Sequence, residues 1–199
     1  MWQAEPQAYF GNSAYLNEPS KFFVDIFVKN IAGYDVITVN DTLPYGFSYV
    51  PNSANIISAV HPDGSPNENS ILTNHTIANP GITLSSLTSC PSGIWDSNDP
   101  EGSDSNEGGD SLNWTFIKSG AAPSNLLWDK TNSLIDSGAT GFNSNDKPYD
   151  FVYRMAYDAI PTQAAQDCVT QEAALDRFEN NVDISAHLIT TGETDISHW

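Results

Sequence analysis

Between Phe22 and Asn30 the chain reads Phe-Phe-Val-Asp-Ile-Phe-Val-Lys-Asn, and every second residue from Phe22 to Val28 is apolar. Period two is the signature of a strand with one face on a core. Phe22, Val24, Ile26 and Val28 take the core face; Phe23, Asp25, Phe27 and Lys29 take the other. Short segments of this kind recur along the chain. Asp35 to Asp41 sets Ile37 and Val39 against Val36, Thr38 and Asn40. Leu43-Pro44-Tyr45-Gly46 is a turn, because proline fixes φ and glycine accepts positive φ. Phe47–Val50 and Ala54–Val60 continue as strands on either side of Pro51-Asn52-Ser53, and residues 61–66 form a loop.

Residues 71–87 hold two further strands broken at Asn79-Pro80-Gly81, and strands follow at 112–117, 151–157 and 181–189. The closing strand alternates Val182, Ile184 and Ala186 with Asp183, Ser185 and His187. Residues 119–150 read as irregular, and 190–199 are too polar to assign. One segment departs from the pattern. Thr162 to Asn180 is rich in Ala, Gln, Glu and Leu, follows Pro161, and puts Cys168, Leu175 and Phe178 on one stripe, which predicts a short helix. Many short strands with no alternating helices predict an all-β, immunoglobulin-like antiparallel sandwich with long loop inserts and one short helix. With 39% hydrophobic residues there is material for a core, and residues 1–199 are expected to form a single elaborated module.

Charge narrows the partners. Twenty-five acidic residues against seven basic ones leave a formal net charge of -18. Such a surface repels nucleic acid and anionic membranes. The sequence holds no apolar run of the ~18 residues a membrane span needs. Met1-Trp2-Gln3-Ala4-Glu5 lacks the basic and apolar regions of a signal peptide, so a chain of otherwise extracellular character is expected to be a piece cut from a larger surface protein. Cys90 and Cys168 permit one disulfide or two buried thiols; an extracellular setting favours the disulfide.

At residues 24–58 the order of residues is specific. A strand ends in Val28-Lys29-Asn30, a turn follows at Gly33, and then come Val39-Asn40-Asp41-Thr42-Leu43-Pro44 and Gly46-Phe47-Ser48-Tyr49-Val50-Pro51-Asn52-Ser53. This resembles the immunoglobulin-like surface-repeat family known as domain of unknown function eleven. Leu112-Asn113-Trp114-Thr115 and Asn181-Val182-Asp183-Ile184-Ser185 resemble its later strands. The resemblance implies a β-sandwich in the cell-surface proteins of bacteria or archaea, often in tandem, without catalysis. Related pilin-like modules carry a Lys–Asn isopeptide staple. Here no lysine precedes Lys21, so that pattern is broken, and Lys21 or Lys29 with Asn180 or Asn181 is what remains for such a bond.

Candidate sites fall in the inserts. Asp96, Asn98, Asp99, Glu101, Asp104, Asn106, Glu107 and Asp110 crowd one glycine-containing segment. Calcium takes about six to eight oxygens from such groups on a flexible loop. The spacing is near, but not, that of an EF-hand, and a solvated acidic loop explains the composition equally. Asn143-Ser144-Asn145-Asp146 is a weaker candidate. His61, His75, His187 and His198 lack zinc spacing and read as surface residues. No nucleophile elbow, P-loop or dinucleotide fingerprint is present, so the chain is not expected to be an enzyme. Trp114 is assigned to the core. Trp95 and Trp128 flank loops and are the candidates for stacking on a ligand. The partners expected are neighbouring domains of the same protein and, in an alternative reading as a carbohydrate- or partner-binding module, a cell-surface glycan or protein.

Overall fold

The computed structural model describes residues 16–28, 30–60, 71–89, 108–134, 151–171, 180–189 and 194–198. Two five-stranded antiparallel sheets face each other. The strands are β1 (Ser20–Val28), β2 (Tyr34–Thr42), β3 (Phe47–Tyr49), β4 (Asn55–Val60), β5 (Ile71–Thr76), β6 (Gly81–Thr83), β7 (Ser111–Ile117), β8 (Phe151–Pro161), β9 (Asn181–Leu188) and β10 (Thr194–His198); the helix α1 is Gln163–Gln171. One sheet runs β1-β8-β4-β5, with β3 also on β8; the other runs β10-β9-β2-β7-β6. The architecture is the antiparallel β-sandwich that the alternation predicts.

The alternation in β1 places its residues as read. Phe22, Val24, Ile26 and Val28 are buried, and they meet Ile37, Val39, Leu112, Trp114, Phe116 and Val182 of the opposite sheet in one apolar cluster. Burying this much apolar surface is the main drive to form the two layers. Four aromatic rings knit the centre: Tyr157 stacks on Phe22 at 5.2 Å, tilts against Trp114 at 5.2 Å and lies 6.1 Å from Tyr49.

β8 is the spine of its sheet. Along one side it pairs with β1 from Ser20↔Ala159 to Val28↔Phe151 without a register shift. Along the other it meets β3 at 159–161, β4 at 154–156 and the backbone of Leu134 at Val152. It runs four residues beyond the predicted end at Tyr157. β3 lengthens it there, and Pro161, which has no N–H to give, closes it.

Two turns depend on backbone freedom. Asn30 takes φ 58° between β1 and a 3-10 turn at Ile31–Gly33, a left-handed conformation that Asn tolerates. Gly46 takes φ +79°, and a Cβ there would lie 2.7 Å from Ala165 Cα. Thr162 closes this contact, its N–H and hydroxyl both donating to Gly46 O, at 2.8 and 2.7 Å. The start of α1 is thereby docked onto the β2–β3 turn.

Candidate functional site

The calcium candidates from Asp96 to Asn106, together with Glu107, lie outside the described residues, as do Trp95, Cys90, Lys29 and the 143–146 segment. Asp110, the last of the acidic run, is described. Its Oδ1 accepts from Ser85 N at 3.0 Å and its carbonyl accepts from Leu43 N at 3.0 Å. Gly109 packs against the carbonyls of Leu43 and Pro44 with no room for a side chain. The C-terminal end of the acidic segment is thus anchored on the β2–β3 turn, and one Asp110 oxygen is already used.

Trp128 sits in a 3-10 turn, Leu126–Trp128, after irregular chain. Its indole N–H donates to the carbonyls of Ile31 and Tyr34 at 3.2 and 3.0 Å, and its ring packs partly buried against the core. Trp114 is 4% exposed, as assigned. Cys168 is buried in α1 and is not a free thiol. Lys21 lies exposed on β1 and binds Asp158 at 2.7 Å. His187 meets Asp35 at 2.6 Å on the surface, and that hydrogen bond holds the Asp35 carboxyl below its ordinary value. Among the described residues no three of His, Cys, Asp and Glu converge as metal ligands, and no helix is long and apolar enough to cross a membrane.

One strongly perturbed group was not among the predicted site residues. Asp41 follows Ile37 and Val39 on the inward face of β2 and is 0% exposed. Across the core, Tyr157 of β8 donates its hydroxyl to Asp41 Oδ2 at 2.6 Å. Burial pushes the Asp41 carboxyl up to about 7 from 3.8, against the downward pull of Tyr157 and Asn180. Burial, and then the charge of Asp41, push the Tyr157 phenol well above its ordinary value. The signal was present in the parity: position 41 shares a face with 37 and 39. Its acidic identity concealed it, since a lone buried carboxyl runs against the ordinary preference.

The outer surface of β1 and β8 is equally ordered. Asp25 and Arg154 are register partners, as are Lys21 and Asp158, and both pairs are ion pairs. The Arg154 guanidinium also lies over the Phe23 ring, 5.6 Å from its centroid.

No family model matches the chain, and no curated protein does. Three solved structures align with it at low identity. The full-length major pilin SpaD from Corynebacterium diphtheriae aligns at 10% identity and TM-score 0.40, over 92% of this chain and 30% of that one. A 35 kDa C-terminal fragment of the major pilin GBS80 of Streptococcus agalactiae aligns at 14% and 0.45, over 93% and 48%. ACE19, the collagen binding subdomain of the Enterococcus faecalis surface protein ACE, aligns at 11% and 0.38, over 94% and 87%. The chain therefore spans less than half of either pilin structure.

Proposed function

We propose that this chain is a non-catalytic, force-bearing module of an extracellular bacterial surface protein, serving as a structural or adhesive unit. The observation that supports this reading is the β1–β8 ladder. It runs unbroken from Ser20↔Ala159 to Val28↔Phe151, with ion pairs at two of its opposed positions. Strands in a long uninterrupted ladder part in shear only when many hydrogen bonds fail together, and cross-strand pairs add to that resistance. The surface setting rests on the motif residues from Val39 to Ser53 and on the acidic balance. A disulfide between Cys90 and Cys168 and calcium held by the 96–110 segment would stiffen the same module. The first is supported by Cys168 not being a free thiol, the second by composition alone.

Pulling single molecules by their ends tests the reading. The wild-type chain is expected to unfold in one step, at a force clearly above that of an Asp25→Ala, Asp158→Ala double variant. Unfolding at the same low force in both would refute it. The alternative reading, a binding module, is tested on a glycan array with Trp95→Ala: reproducible binding by the wild type that this variant loses would favour it.

A further inference from the structure

The Asp41–Tyr157 contact joins the two sheets through the middle of the core, yet it is incompletely satisfied. Tyr157 fills Asp41 Oδ2, whereas Asp41 Oδ1 is buried without a hydrogen-bond partner among the described residues. Asn180, one residue before β9, has its own Oδ1 buried in the same condition. Its side chain lies against both Asp41 and Tyr157. The Asn180 amide and the Tyr157 hydroxyl both favour the ionised carboxyl, yet a buried carboxylate with one oxygen unpaired costs free energy for as long as it keeps its charge. One proton removes the buried charge. A neutral carboxyl loses the charge that burial penalises, and its O–H replaces an unpaired anionic oxygen.

We propose that Asp41, Tyr157 and Asn180 form a proton-operated clasp between the two sheets, closed when the Asp41 carboxyl is neutral and strained when it ionises. Closing takes up one proton from solvent; opening returns it. The surroundings enforce the neutral form. The ladder neighbours of Asp41 are Leu112 on β7 and Val182 on β9, both buried and apolar. Phe22 of β1 and Trp114 of β7 wall the Tyr157 ring. Tyr49 of β3 is the other titratable group facing Tyr157. Among the described residues, the side chains acting on Asp41 are Tyr157 and Asn180, and no cation is among them to hold a carboxylate. The sign follows. A carboxyl whose folded value lies above its unfolded value binds its proton more tightly when folded, so the folded state weakens as pH rises between the two. Here that window runs from about 4 to about 7. The clasp does not depend on whether the module bears load.

The experiment is urea unfolding of the wild type and Asp41→Asn at matched salt from about pH 4 to about pH 9. Relative to the variant, the wild-type folding constant is expected to fall roughly tenfold per pH unit inside the window and to level off above it. Parallel profiles for the two proteins would overturn the proposal. Should Asp41→Asn fail to fold, Tyr157→Phe gives the second reading. It removes a donor that favours the ionised form, so the upper edge of the wild-type window moves to higher pH; an unmoved edge overturns the clasp. Infrared spectra at about pH 6 separate a proton effect from a packing effect. A protonated-carboxyl band is expected in wild type, and its absence there would equally refute the clasp.

Discussion

Asp25 and Arg154 face each other across the β1–β8 ladder and are joined by two parallel bonds, Nε to Oδ1 and Nη2 to Oδ2, each 2.7 Å. The hydrogen bond to Asp25 raises the already high value of the guanidinium further. With Asp25 only 11% exposed, the pair is better shielded than Lys21–Asp158, in which Lys21 is 49% exposed. Bidentate pairing of this kind demands the planar fork of arginine.

Arg154→Lys is therefore expected to lose most of what Arg154→Ala loses, about 1–2 kcal/mol in urea unfolding. Lys21→Ala is expected to cost well under about 1 kcal/mol. A double-mutant cycle on Asp25 and Arg154 checks the first figure, and equal costs for the two pairs would contradict the comparison.

Gly46→Ala is expected to destabilise the fold by more than about 1 kcal/mol. The new Cβ carries the cost of positive φ and meets the backbone of Ala165 in α1. The damage should centre on the docking of α1. Faster amide exchange at Ala165 and Gln166, whose N–H groups bond Thr162 O, would show it.

Trp128→Phe is expected to cost roughly 1–2 kcal/mol, because the carbonyls of Ile31 and Tyr34 lose a shared buried donor. Thermal unfolding measures the loss. A Trp128→Phe protein as stable as wild type would return this side chain to the surface role expected of a loop tryptophan.

The Asp35–His187 pair gives a second pH response, opposite in sign to that of Asp41. The Asp35 carboxyl is held below its ordinary value by the His187 hydrogen bond. Its contribution is therefore present above 3.8 and is lost as pH falls through the lowered value. Asp35→Asn is expected to remove this weak acid limb below about pH 4, as read by urea midpoints.

Local pattern carried the sandwich. Alternation in β1 named Phe22, Val24, Ile26 and Val28 as core, and Pro44 and Gly46 marked the turn between β2 and β3, because side-chain parity and backbone permissiveness are properties of a few adjacent residues. The same rules had no purchase on β10. Thr194–His198 is polar and becomes a strand by pairing with Asp183–His187 of β9, a backbone interaction that leaves no hydrophobic signature. The helix predicted over 162–180 is described as Gln163–Gln171, with residues 172–179 outside the described set.

The residues from Phe22 to Val50 determined by themselves that this chain makes strands and which faces those strands bury. They also put Asp41 on an inward face. What that aspartate would meet was decided only by the packing of β2 against β8, which brings Tyr157 to it from 116 positions away in the chain. Its lifted affinity for a proton follows from that burial. Desolvation of a carboxyl depends on everything that surrounds it in space, and no stretch of neighbouring residues encodes that.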